Sequence, residues 1–353
     1  MSVPGPTDPR AVVRAVQWSD DTLVLLDQTL LPAREEHVAC TDVDSVVDSV
    51  QRLVVRGAPA LGAVGAYGVA VAMLQAERED WGDDRLRREI LRIRDARPTA
   101  VNLAWGVDRV TPLVPAGVTA VLTEAHAIVG EDQAANRELS RRGADWILDR
   151  VERRPVRVLT HCNTGDLATT GWGTALGIIR ELHDRGQVEM VYADETRPLL
   201  QGARLTAWEC ARQGIPCRVQ ADGAAASTIL RGLVDVAIIG ADRIARNGDT
   251  ANKIGSVGIA LACHAAGIPF VVAAPSSTVD MATPDGSHIE IELRDGAEVT
   301  TYAGARVAPE GADGFNPAFD VTPARYISAV ISECAVVEPD GVAPVGALVG
   351  EPS

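Results

Sequence analysis

The chain has 353 residues, enough for two domains with separate cores, and its 46% apolar and 23% charged content is ordinary for a globular enzyme. A formal net charge of −15 without any block of Lys and Arg excludes nucleic acid and anionic membrane surfaces as partners, since both would be repelled. A small anionic substrate stays possible, because a few local Arg and Lys outweigh the global field at short range.

No apolar run is expected to reach membrane-spanning length, and the Pro-rich segment 1–10 lacks the apolar core of a signal peptide. The six cysteines are scattered, with no CxxC pair. Reduced thiols, no disulfide framework, no metal site and a cytoplasmic location are the expectations.

In chain order, residues 15–26 predict a small hairpin, apolar alternation broken by Ser19-Asp20-Asp21. Thr41, with Asp44 three residues on, predicts a capping-box start to a helix over 43–55. Further helices are predicted after Pro59, over 83–96, over 100–113 and over 118–149, where acidic residues precede basic ones as a helix dipole prefers. This reads as a mainly helical N-terminal domain with a small antiparallel sheet, residues 1–128.

Beyond Pro155 the pattern changes. Short unbroken apolar runs at 156–160, 188–193, 236–240 and 270–274 alternate with helical segments at 167–185, 203–213, 223–231 and 257–266. Such alternation predicts a parallel sheet covered on both faces, an α/β, Rossmann-like domain over 129–353.

Ligands of open parallel sheets bind beyond the carboxyl ends of the strands. Here those ends run into His161-Cys162-Asn163, Asp194-Glu195-Thr196-Arg197 and Asp242-Arg243. Cys162 reads either as a buried structural cysteine or as a reactive thiol whose anion is favoured by the helix expected just after it. His161 could activate it, but adjacent strand residues point to opposite faces. Asp242 reads either as the partner of Arg243 or Arg246, or as a desolvated carboxyl that keeps its proton and acts as an acid. Asn252 and Lys253 end a polar loop and could hold a phosphate or hydroxyl. Arg56-Gly57-Ala58 and Arg97 stand at helix junctions, where an Arg beside helix-start amides suits a phosphate and a solvated Arg is the alternative. Gly62-x-x-Gly65-x-x-Gly68 and Gly171-x-Gly173-x-x-x-Gly177 lack dinucleotide spacing, so no cofactor is expected and close helix packing explains the first better.

Six stretches, RGAPALGAVGAYG, RPTAVNLAWGVDR, THCNTGDLATTGWGTALG, DETRPLLQGARLTAWE, GADRIARNGDTANKIGS and FNPAFDVTP, together resemble the methylthioribose-1-phosphate isomerases. That family lies within the superfamily of the translation initiation factor 2B regulatory subunits. The resemblance implies an aldose–ketose isomerase of methionine salvage, acting on a small sugar phosphate as a homodimer without cofactor. It implies Cys162 and Asp242 as the catalytic pair, and Arg56, Gly57, Ala58, Arg97, Gln201, Asn252 and Lys253 as substrate-binding residues. It also implies a site between the two domains. The related ribose-1,5-bisphosphate isomerases carry a variant of RPTAVNL. Asp222-Gly223-Ala224 stands where the family usually has Asp, then Asn or Ser, then Met.

Overall fold

The computed structural model describes residues 13–98, 101–339 and 345–350. The chain divides into two compact units, Ala11–Asn136 with Thr164–Gly173, and Arg137–Asn163 with Thr174–Ser353. The boundary lies between Asn136 and Arg137, within the continuous helix Val118–Arg150 that also contains the expected boundary at 128, and Thr164–Gly173 groups with the first unit.

The first unit opens with a three-stranded antiparallel sheet of β1 (Val16–Ser19), β2 (Thr22–Leu26) and β3 (His37–Cys40). Five helices follow: α1 (Val43–Gln51), α2 (Ala58–Arg78), α3 (Asp83–Arg94), α4 (Val101–Val110) and α5 (Val118–Arg150). The cap of α1 is one residue later than expected: the extended Asp42 accepts from the Ser45 amide at 2.8 Å, and the Ser45 hydroxyl returns to the Asp42 backbone. Aspartate is the stronger N-cap, so it takes the position from Thr41.

Every residue of α2 from Ala60 to Ala72 is buried. By length and hydropathy α2 is long and apolar enough to cross a membrane, against expectation, but 72% of its apolar window is buried inside the protein. It is the core helix of its unit, apolar on all sides because it is surrounded on all sides. Its small residues let α4 approach closely: a Cβ on Gly106 would lie 2.0 Å from the Gly62 carbonyl oxygen.

The second unit is built on a seven-stranded sheet. Its strands are β4 (Val156–Thr160), β5 (Val188–Asp194), β6 (Cys217–Gln220), β7 (Val236–Ile239), β10 (Phe270–Ala273), β15 (Ala329–Ile331) and β16 (Val336–Val337). The order is β16-β15-β10-β7-β4-β5-β6, parallel except for β16 at one edge. Helices α6 (Ala175–Asp184), α7 (Ala207–Gln213), α8 (Ala225–Leu230) and α9 (Ser256–Ala266) intervene between strands. Alternate residues feed opposite cores: Val158, Ile238 and Val271 join Ile178 and Ile147, whereas Leu159, Ile239 and Val272 join Ile229 and Ile259. This is the α/β, Rossmann-like class the apolar runs predicted. A second sheet, β11-β8-β9-β14, combines β8 (Arg243–Ala245), β9 (Thr250–Lys253), β11 (Val279–Asp280) and β14 (Phe319–Thr322). A third pairs β12 (Thr301–Tyr302) with β13 (Ala305–Arg306).

Candidate active site

Strand β4 is the first of the large sheet in the chain, yet it lies in the middle, with β5 and β6 added on one side and β7, β10 and β15 on the other. The order therefore reverses between β4 and β7, and a crevice beyond their carboxyl ends is where such folds bind ligands. The Thr160 hydroxyl donates to the Ile238 carbonyl at 2.8 Å, tying those two ends together. Cys162 follows β4 and Asp242 follows β7. The two residues singled out from sequence thus leave neighbouring strands at the switch point.

Cys162 is buried, at 5% exposure, with φ of 64°. A left-handed conformation costs a residue with a side chain about 1–3 kcal/mol and persists only when its surroundings enforce it. Here its amide donates to Thr196 Oγ1 at 2.9 Å and its carbonyl accepts from Thr206 Oγ1 at 2.6 Å. Thr196 is itself left-handed at φ 65°, held by its amide donating to Asp222 Oδ1 at 2.7 Å. The neighbouring Arg197 amide donates to the other Asp222 oxygen at 2.6 Å. The expected helix after Cys162 begins only at Ala175, because residues 164–173 form turns belonging to the other unit. The end of α6 therefore does not supply the dipole expected to favour a thiolate.

His161 does not serve Cys162. Its Nδ1 lies 3.0 Å from Asp194 Oδ2 and its Nε2 lies 2.8 Å from the Ile254 carbonyl oxygen, so both ring nitrogens are committed elsewhere. Asp194 also accepts from Gln220 Nε2 at 2.8 Å. Burial by itself drives the imidazole toward neutrality, but the bond and charge of Asp194, with the Ile254 carbonyl, outweigh it and raise the His161 pKa. Burial likewise lifts Asp194 above the usual carboxylate range, against the pull of His161 and Gln220. His161, Asp194 and Asp222 bring ligand-type atoms within 4.8 Å of one another. Protein groups occupy those atoms: the Asp222 oxygens take two amides, and the imidazole spans a carboxylate and a carbonyl.

Asp242 corrects a sequence expectation. It is exposed rather than desolvated, since the chain turns out of the sheet there to begin β8. Its amide donates to the Ala251 carbonyl at 2.9 Å, and Arg243, one of its expected partners, pairs with Asp280 at 3.3 Å. The polar loop expected before α9 is a hairpin, with β8 antiparallel to β9. Asn252 is buried and donates to Ser256 Oγ at 2.9 Å. Lys253 donates to the Ala318 carbonyl at 2.9 Å and lies 4.4 Å from the Phe319 ring centroid. Gln201 is buried beside a π-helical turn, Gly202–Thr206, and its Oε1 has no hydrogen-bond partner among the described residues. Such turns and orphan acceptors concentrate at functional sites.

The remaining residues lie in the other unit. Gly57, at φ 97°, is the N-cap of α2, with Ala58 the first helical residue and Arg56 just before. A side chain on Gly57 would meet the Ala168 carbonyl at 2.2 Å. Arg97 is half-buried after α3, and Thr99 and Ala100 of the RPTAVNL stretch lie outside the described residues. The sequence assigned no individual role to Thr196 or Thr206, because the contacts with Cys162 that give them one are distant in sequence.

The chain belongs to the initiation factor 2 subunit family, whose model matches residues 54–339. It is 48% identical over 344 residues to the methylthioribose-1-phosphate isomerase of Alkalilimnicola ehrlichii, covering 96% of this chain and 98% of that one. A probable bifunctional methylthioribose-1-phosphate isomerase/methylthioribulose-1-phosphate dehydratase of Nocardia farcinica is 48% identical over 336 residues, and the chain spans 61% of its length. Among solved structures, 5-methylthioribose 1-phosphate isomerase from Pyrococcus horikoshii superposes with a TM-score of 0.86 at 37% identity, covering 95% of each chain. A structure titled translation initiation factor eIF-2B, subunit delta, from A. fulgidus gives 0.84 at 37% identity, covering 96% and 99%. Within its family the chain is an enzyme and falls with the isomerases.

Proposed function

We propose that the chain converts 5-methylthioribose 1-phosphate into 5-methylthioribulose 1-phosphate in methionine salvage, as a cytoplasmic homodimer, with Cys162 and Asp242 as the reacting pair. The observation that carries the reading is that these residues leave adjacent strands at the reversal point of a Rossmann-type sheet, in a chain nearly half identical to proteins of that name.

The anomeric phosphate blocks ordinary ring opening, so an acid must protonate the ring oxygen as its bond to carbon 1 breaks. Asp242 supplies that proton. Hydrogen then passes from carbon 2 to carbon 1 and the carbon 2 hydroxyl becomes a ketone. In one route the Cys162 thiolate removes the carbon 2 proton and an enol phosphate is reprotonated at carbon 1. In the other a hydride shifts directly and Cys162 takes the hydroxyl proton. Solvent deuterium at carbon 1 marks the first route.

Gln201, with its orphan acceptor, and Asn252 bind substrate hydroxyls, and Lys253 holds the phosphate. Arg56, Gly57 and Ala58 at the start of α2, and Arg97 after α3, are further substrate-binding residues in this reading, an Arg beside helix-start amides being suited to an anion. Their task is positioning, which can supply about 7–11 kcal/mol of a barrier reduction. The test is turnover by the purified protein of 5-methylthioribose 1-phosphate, ribose 1,5-bisphosphate and 5-deoxyribose 1-phosphate, with no nucleotide added. Highest kcat/KM on the first is expected. Preference for either of the others refutes the substrate, and no ketose from any of them refutes the isomerase reading in favour of a non-catalytic regulatory subunit. A monomer by light scattering refutes the homodimer.

A further inference from the structure

We propose that His161 is a positioning residue: its imidazole, hydrogen-bonded on both sides between Asp194 and the Ile254 carbonyl, clamps the Asn252–Lys253 strand end to the turn that carries Cys162. The inference rests on the reading of Cys162 and Lys253 given above. His161 immediately precedes Cys162, and Ile254 immediately follows Lys253. One ring therefore joins the residue before the thiol to the residue after the lysine, across 93 positions of sequence.

The clamp is built rather than incidental. The imidazole is 1% exposed. Gly255, at φ 110°, lies directly against it: a Cβ there would be 3.0 Å from His161 Cε1. Only glycine allows both that backbone and that contact. The Gly255 amide donates to Asp320 Oδ2 at 2.8 Å, so the turn leaving Lys253 is gripped from β14 as well. On the far side Asp194 is fixed by Gln220, whose own oxygen accepts from Thr228 Oγ1 at 2.8 Å.

A carbonyl can only accept, so Nε2 carries a hydrogen. Nδ1 faces a carboxylate, so a second proton must lie between it and Asp194, on one partner or the other. Three acidic groups face the ring: Asp194 from β5, Asp222 from the turn before α8 and Asp320 from β14. All three favour retention of that proton. The His161 value is raised on folding. The stabilisation is thus complete below the free imidazole value of about 6.5 and is lost as pH rises through the raised value. Above it, two lone pairs oppose each other across Nδ1 and the clamp loosens.

Asp194→Asn separates hydrogen bonding from charge. The amide nitrogen would donate to a neutral Nδ1 and the amide oxygen would still accept from Gln220, so the bridge survives without the extra proton. The experiment measures kcat and KM for 5-methylthioribose 1-phosphate between pH 6 and 10, and hydrogen exchange at Gly255 and Val257, in wild type, His161→Ala and Asp194→Asn. His161→Ala should raise KM about tenfold or more and speed exchange about tenfold, the scale of a displaced binding group. Asp194→Asn should keep both within about threefold of wild type, with KM flat where that of wild type climbs at alkaline pH. If Asp194→Asn behaves like His161→Ala, or His161→Ala leaves KM and exchange within twofold, the clamp is refuted. Should wild type turn over none of the sugar phosphates, the proposed function falls, while hydrogen exchange still decides the clamp.

Discussion

Thr196→Val keeps the shape of the side chain and removes its hydroxyl, which makes it a direct probe of how Cys162 is held. The hydroxyl accepts from the Cys162 amide at 2.9 Å and donates to the Asp194 carbonyl at 3.0 Å, and all three residues are buried. Leaving the Cys162 amide unsatisfied costs about 1–3 kcal/mol, and the lost donation to Asp194 about 0.5–1.5 kcal/mol. Valine is no easier to hold at φ 65° than threonine, so nothing offsets the loss, and about 2–4 kcal/mol is expected in total. At about 2–4 °C per kcal/mol for a unit of this size, Tm should drop about 5–15 °C. Cys162, freed to leave its left-handed conformation, should lose alignment, lowering kcat/KM about 10–100-fold. Thr196→Ser retains the hydroxyl and should stay close to wild type in both. Thermal melting by circular dichroism together with initial-rate kinetics reads the two effects. A Val variant melting within 2 °C of wild type, with kcat/KM within twofold, would refute the account of Cys162 as a residue held against strain.

Cys162→Ser and Asp242→Asn should each lower kcat by at least about a hundredfold, the usual scale for lost acid–base help, and near-normal turnover by either removes that residue from the scheme. Gln201→Leu removes a buried orphan oxygen and should stabilise the fold by up to about 1 kcal/mol in urea denaturation. The same variant should raise KM about tenfold, so an unchanged KM would show that the orphan does not await substrate. Gly106→Ala drives a methyl into the Gly62 carbonyl, 2.0 Å away in the present backbone. It should cost about 1–3 kcal/mol as α2 and α4 are forced apart, and an unshifted urea midpoint would contradict that packing.

The sequence by itself determined the class of fold, because both-face burial of a parallel sheet demands the unbroken apolar runs seen at β4, β5, β7 and β10. It also pointed to Cys162 and Asp242, since polar residues directly after such runs lie at the ligand-binding edge. Edge strands such as β6 and β16 escaped notice because half-exposed short strands carry no comparable apolar signal. Only the tertiary structure decided that β4 and β7 are neighbours, because strand order follows from packing of helices on two faces rather than from local pattern. Exposure was likewise a tertiary matter: Asp242 follows an apolar strand yet faces solvent, while Asp194 at a similar strand end is 1% exposed and bonded to His161. The hydrogen bonds that hold Cys162 and His161 join residues 33 to 93 positions apart. No window of sequence contains both partners of such a bond, so the support of the site became visible only once the chain had folded.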